Sequence, residues 1–202
     1  MKVRQNLSSE SLFHFVTNRE YLVDILIHGF QPRYSLELLP IPEKNIPIGI
    51  LMECFCDIPL GMIKKHLSSY GKYGIGISKD FSKKNGISPV LYVHDGSKTL
   101  RGYLSDIRKS KQGTSTGSLL PYLKQYEEFV GRKKIRYYDE REWRYIPNTK
   151  ETFVWSEDAI SKDEFVGHIK ERSLDLPPND NRLGIGIEDI RWTAPPKLDK
   201  TC

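Results

Sequence analysis

Hydrophobic and polar positions change their period several times along the chain, and each change predicts an element. Leu12-Phe-His-Phe-Val16 alternates and is aromatic-rich, the pattern of a short strand. Thr17 and Asn18 are N-cap types, and Leu22, Ile25 and Leu26 then recur at helical spacing up to Gly29, a glycine in the C′ position. Prolines 32, 40, 42 and 47 punctuate the next stretch, which predicts an extended loop over Pro32–Pro47. Ile48–Ile58 is a mostly apolar run and reads as a buried strand. Pro59 opens a helix with Leu60, Ile63 and Leu67 on one face, ending at Tyr70-Gly71.

Beyond that point Tyr73–Ser78 reads as a glycine-spaced strand, Asp80–Gly86 as a short helix or turn, and Pro89–His94 as a strand. Ser97 caps a predicted helix over Ser97–Ser110, and Lys111–Ser118 is the most flexible stretch. A helix is expected over Pro121–Val130, a strand over Lys134–Ile146, a helix over Ser161–Arg172 and a last strand over Leu183–Thr193. Strands and helices interleave without a parallel β-α-β rhythm. The expectation is therefore an α+β fold, a central, strongly bent mixed or antiparallel sheet flanked by short helices. With 202 residues, one domain (1–202) with a variable insertion at about 95–133 accounts for the chain.

Composition narrows the classes. Hydrophobic residues are 38% and charged residues 28%, the profile of a folded soluble domain. The apolar runs fall far short of the roughly 20 residues a membrane-spanning helix needs. Met1-Lys-Val-Arg-Gln-Asn6 leads into polar sequence, so no secretory signal and a cytoplasmic location are expected. Three cysteines, at 54, 56 and 202, are an odd count; Cys54 and Cys56 are expected on opposite faces of one strand, with all thiols reduced. Cys-X-Cys is not zinc spacing, so no metal is expected. A net charge of +5 permits nucleic-acid binding through Lys98–Lys111 and Arg132–Arg136, and the same residues also suit an ordinary solvated surface.

Four segments hold more polar residues or glycines than packing demands. His14 sits inside an apolar strand, where a satisfied core-edge histidine is the plain alternative to a ligand contact. Asp57, in Cys54-Phe-Cys-Asp-Ile-Pro-Leu60, either caps the helix that Pro59 opens or faces a cleft. Tyr70-Gly-Lys-Tyr-Gly-Ile-Gly-Ile77 has neither dinucleotide-fingerprint nor P-loop order, so its glycines serve a sheet bend or a close ligand approach. Within a strand, Glu140, Glu142 and Arg144 would share a face. They form either a solvated ion network or a cleft in which the arginine positions a carboxylate.

These segments, taken in order, resemble one family. Ser9–Phe15, Ile25–Phe30 with Pro32-Arg33-Tyr34, Cys54–Leu60, Tyr70–Ile77, Pro89–Tyr92, Glu140–Arg144 and Ile187–Ile190 are similar to the AbiGi family of abortive phage infection proteins, over most of the chain. The resemblance implies an antitoxin or regulatory role in bacterial anti-phage defence and a toxin partner encoded nearby. Arg33, Asp57 and Arg144 are further candidate cleft residues of this chain. A fainter resemblance is to ADP-ribosyltransferase-like, DarT-type folds. It implies NAD as cofactor, His14 at the ribose, Tyr70 or Tyr73 on the nicotinamide, and Glu142 or Glu140 as the catalytic carboxylate. Val16 departs from that pattern, in which threonine or serine is common.

Overall fold

The computed structural model describes residues 9–41, 44–94, 96–109, 115–147, 152–154, 161–174 and 182–191. β1 (Ser11–Val16) runs into α1 (Arg19–His28), which Asn18 caps by accepting a hydrogen bond from Tyr21 N and Gly29 ends at φ 82°. β2 (Arg33–Ile41) and β3 (Lys44–Cys56) form a long antiparallel hairpin. A 3-10 turn at Leu60–Met62, α2 (Lys64–Tyr70), β4 (Tyr73–Ser78), α3 (Lys79–Lys84), β5 (Ser88–Pro89) and β6 (Leu91–Val93) follow. Then come α4 (Lys98–Lys109), β7 (Leu123–Gln125), β8 (Glu127–Val130), β9 (Lys133–Arg136), a 3-10 turn at Tyr137–Glu140 and β10 (Glu142–Tyr145). β11 (Thr152–Val154), α5 (Lys162–Leu174) and β12 (Ile190–Arg191) complete the order.

The fold is α+β, built on an antiparallel sheet in the order β12-β4-β1-β3-β10-β5, with β2 and β11 also pairing β3. β3 organises it because its residues alternate between two cores. Ile48, Ile50 and Met52 point to one face and meet Leu100, Leu120 and Leu123; Phe13 and Cys56 on that face meet Ile63 beside α2. Leu51 points to the other face, where Tyr34, Phe165 and Ile169 dock α5. A Cβ at Gly49 would stand 2.2 Å from Ile169 Cδ1, so glycine is what lets that helix approach. Leu12, Phe30, Phe55, Ile75, Ile77 and Phe81 complete this second face.

One irregularity in the sheet matters for the site. β2 pairs with β3 through Met52, whereas β1 pairs with it only at Phe13↔Cys56. Glu53, Cys54 and Phe55 therefore have neither β1 nor β2 opposite them.

Several sequence expectations need correction. Pro32–Pro47 is not a loop: Arg33–Ile41 and Lys44–Cys56 are paired strands. Proline is compatible with β2 because, among the described residues, β2 pairs only with β3 and needs no donor on its other edge. Pro47 lies beyond Ile48, the last β3 residue that β11 pairs. Of the helix expected over Pro121–Val130, only Pro121 and Tyr122 are helical, as the end of a 3-10 stretch over Ser115–Tyr122; the rest is β7 and β8, with Leu123 and Gln125 buried in alternation. The strand expected over 134–146 is broken by the 3-10 turn, and that over 183–193 is reduced to β12 with an isolated bridge from Leu183 to Phe30. Cys54 and Cys56 share a face, as residues two apart in a strand must. Cys202 and residues 111–114 of the stretch expected to be flexible lie outside the described residues, and Ser115–Ser118 begin a 3-10 stretch.

Candidate functional site

Glu142 and Arg144 stand two apart in β10, opposite Cys56 and Cys54. Their side chains therefore project to the face that carries α2, α4 and β7. Both are buried, Arg144 completely. Arg144 Nε donates to Glu142 Oε1 at 2.6 Å, its Nη1 donates to the Pro121 carbonyl, and its Nη2 lies 3.2 Å from Glu37 Oε1. Nη2 makes only this ion-pair contact, without hydrogen-bond geometry. Lys124 Nζ completes the group, 3.0 Å from both Glu37 oxygens and 3.3 Å from Glu142 Oε2. The Cys54 thiol donates to Glu142 Oε1 at 3.3 Å, and Glu142 N donates to Tyr92 Oη at 2.9 Å. Two carboxylates and two cations from β2, β7 and β10 thus form one neutral, nearly dry cluster.

The electrostatics follow. Burial pushes the Glu142 carboxyl up, but Arg144 and Lys124 outweigh it and hold the group below its ordinary value. Burial and the neighbouring Glu142 carboxylate push the Cys54 thiol well up, and burial takes Cys56 up to about 12, so neither is a thiolate nucleophile at neutral pH. Glu140 behaves oppositely to Glu142: burial pushes it up, and the bond it accepts from Tyr70 Oη at 2.7 Å only partly offsets this.

A cavity of about 240 Å³ opens where β1 and β2 leave β3 uncovered. His14, Tyr70, Glu140 and Glu142 all line it, so four of the candidate residues converge. They do not do so from one face. His14 pairs with Ile75 on β4 and projects to the α1 side, reaching the cavity through the gap in the sheet. Its Nδ1 lies 2.9 Å from the Cys54 carbonyl and 3.1 Å from Glu53 Oε1, and its ring packs edge-on against Phe30 and Phe55. Burial pushes Glu53 up despite His14 and Arg33.

The remaining candidates stand elsewhere. Tyr73 is not among the cavity's lining residues. Arg33 lines a neighbouring cavity of about 440 Å³ with Glu53 and His14. Asp57 does not cap a helix: neither the 3-10 turn nor α2 has a side-chain cap, and Asp57 instead accepts from Ser9 N at 2.7 Å and pairs with Lys79 at 2.9 Å. Gly71 and Gly74 serve packing, against the Val16 carbonyl and the Phe15 ring. Of the basic stretches, Lys134 is paired with Glu127 and Arg136 with Asp139.

Sequence reasoning missed Glu37 and Lys124. The alternation Arg33-Tyr-Ser-Leu-Glu-Leu38 carried a strand signal that the prolines masked, and nothing local marks Lys124. Among the described residues no group of three or more His, Cys, Asp or Glu could hold a metal, and no helix is long and apolar enough to cross a membrane.

A family model described as "Putative abortive phage resistance protein AbiGi, antitoxin" matches residues 35–175. A curated protein of Lactococcus lactis subsp. cremoris, "Abortive phage resistance protein AbiGi", is 33% identical over 205 aligned residues, covering 81% of each chain. No solved structure matches the chain.

Proposed function

The chain belongs to the AbiGi family of abortive phage resistance proteins, the antitoxin side of an anti-phage defence, and on that premise we propose that it acts by holding a toxin protein at its surface, without a chemical step at the cavity. The observation that carries this reading is the neutrality of the Glu37–Lys124–Glu142–Arg144 cluster. A carboxylate held below its ordinary value by two fixed cations is a poor proton acceptor, and its bonds to them tie three strands together. We read the chain as one domain carrying the 95–133 insertion. This is supported by Leu100, Leu120 and Leu123 sharing a core with Ile48, Ile50 and Met52, and by a family match that runs across that segment. The test is co-expression with the toxin encoded in the same defence locus. A stable complex and restored growth are expected; full toxicity with no complex overturns the reading.

A second reading, a nucleotide-binding or ADP-ribosyltransferase-like cleft, is favoured by the convergence of His14, Tyr70, Glu140 and Glu142 on one cavity. NAD at about 100 times its dissociation constant would add about 2.7 kcal/mol and raise the melting temperature by several degrees. A shift lost in Tyr70→Ala supports that reading, and no shift at millimolar NAD removes it.

A further inference from the structure

β9 ends in an unusual neighbourhood. Among the described residues β9 pairs only with β8, so its other edge has no strand against it. A cavity of about 570 Å³ borders β9, with α2 and the preceding 3-10 turn as the opposite wall. Among the described residues none of β8 lines it, which puts the cavity on the open side of β9. Its apolar surface is exposed to an unusual degree: Met62 is 64%, Tyr138 47% and Tyr70 43% accessible. Methionine, tyrosine and arginine gathered at one exposed patch are the composition of a protein interface.

The charge is lopsided as well. Lys134 and Arg136 pair with Glu127 and Asp139, and Glu140, the other carboxylate lining the cavity, accepts from Tyr70 Oη; among the described residues Lys133 and Arg141 have no ion-pair partner, so the lining is net positive. Arg141 is also the one non-glycine at positive φ there, 45°, with its carbonyl accepting from Asp57 N at 3.0 Å. The left-handed conformation caps the C-terminus of the 3-10 turn, where glycine or asparagine is the usual residue, and an arginine there costs some backbone strain.

We propose that the groove between β9 and α2 is a docking site for an extended acidic segment of a protein partner. The segment adds as a strand along β9 and sets its carboxylates on Lys133 and Arg141. Strand addition supplies main-chain hydrogen bonds, while alternate side chains of the incoming segment reach Met62 and Tyr138. Four residues of β9 offer an edge of about 13 Å at about 3.3 Å per residue, enough for a short linear motif. An open strand edge matches a polypeptide backbone and has no counterpart in nucleic acid. The chain's net charge of +5 steers acidic partners toward it. The site of contact rests on the toxin-holding reading above only for the partner's identity.

The test uses fluorescence anisotropy on the full chain with three labelled probes: an alternating Asp-Leu hexapeptide, the matching Lys-Leu hexapeptide, and a ten-nucleotide oligo-dT. The Asp-Leu probe is expected to bind about tenfold or more tighter than the Lys-Leu probe, and backbone N-methylation is expected to weaken it by a similar factor. Lys133→Glu combined with Arg141→Asn should weaken binding about tenfold or more; asparagine tolerates the left-handed backbone, so the melting temperature should hold. Met62→Glu is a second variant, on the other wall, that should weaken binding by repelling the acidic segment without touching β9. Equal binding of the two peptides, preference for oligo-dT, or undiminished binding by both variants overturns the proposal. With the toxin itself, a complex that survives both variants overturns the groove but leaves the toxin-holding reading intact. Peptide binding at β9 with no toxin complex supports the groove and removes that reading.

Discussion

Replacing Glu142 by glutamine keeps the side chain's shape and removes one of two negative charges from the buried cluster. Arg144 then loses its 2.6 Å charged acceptor and Lys124 its 3.3 Å partner, while Glu37 remains within 3.0–3.2 Å of both cations. Removing one partner of a buried ion pair costs about 3–5 kcal/mol. Because glutamine still offers an oxygen to Arg144 Nε and Glu37 still faces both cations, the lower end, about 3 kcal/mol, is expected. For a chain of this size that is a fall of about 6–12 °C in melting temperature, read by circular dichroism or scanning fluorimetry. The sign with pH follows from the depressed carboxyl. Its contribution is present above the unfolded value of about 4.3 and lost as pH falls through the lower folded value, so the gap between wild type and variant should close below about pH 4. Adding Lys124→Met to Glu142→Gln removes the surplus positive charge and should recover part of the loss, a coupling a double-mutant cycle measures. A Glu142→Gln protein within about 0.5 kcal/mol of wild type, or strictly additive variants, would refute the neutral-cluster argument.

Three further outcomes follow from the same structure. Gly71→Ala places a Cβ 2.2 Å from the Val16 carbonyl oxygen at φ 113°, so it should destabilise by more than the about 1 kcal/mol of an ordinary glycine substitution, read by urea denaturation. Glu53→Gln mimics the protonated form that burial favours. A raised carboxyl stabilises most below its unfolded value and loses that contribution as pH rises through the folded value, so the variant should gain on wild type as pH rises above the ordinary carboxylate range in thermal melts. Phe165→Ala removes a buried ring between α5 and Tyr34 and Leu51, and should cost about 3–5 kcal/mol, with hydrogen exchange rising first in α5.

Elements with a local signal were legible from the chain. Asn18 and Gly29 bound α1 as their residue types require, and the apolar run Ile48–Ile58 found β3. The failures share a cause. Pro40 and Pro47 break a helix or an interior strand, but Pro40 stands on β2, which among the described residues pairs on one side alone, and Pro47 on the stretch of β3 beyond its pairing with β11; a single sequence does not say which positions lie unpaired on one side. Pro121–Val130 mixes tyrosine, leucine and glutamate at spacings that suit either element, and the buried Lys124 bonds decided for strand. Glu142 and Arg144 were placed together by period alone. Their meaning was not, because the neutralising Glu37 and Lys124 come from 105 and 18 residues before Glu142 (142 − 37, 142 − 124). Likewise His14 and Glu142 share a cavity only because β1 and β2 leave β3 uncovered, a tertiary event with no sequence mark.

That distinction bears on how function should be read from such a chain. None of the four charges in the cluster can be removed without stranding another in a nearly dry site, so the cluster constrains sequence whether or not any reaction occurs there. A match to a family at Glu142 and Arg144 therefore reports a shared fold before it reports shared chemistry. Lys133 and Arg141 are under no such constraint: Lys133 is exposed, neither has an ion-pair partner among the described residues, and Arg141 takes a left-handed backbone as the C-cap of the 3-10 turn, a position that does not call for an arginine. Groups whose placement costs something and whose charge is left uncompensated are where an external ligand gains most. On the proposed toxin-holding reading, Lys133 and Arg141, beside the open edge of β9, carry more functional information than the buried carboxylates that first draw the eye.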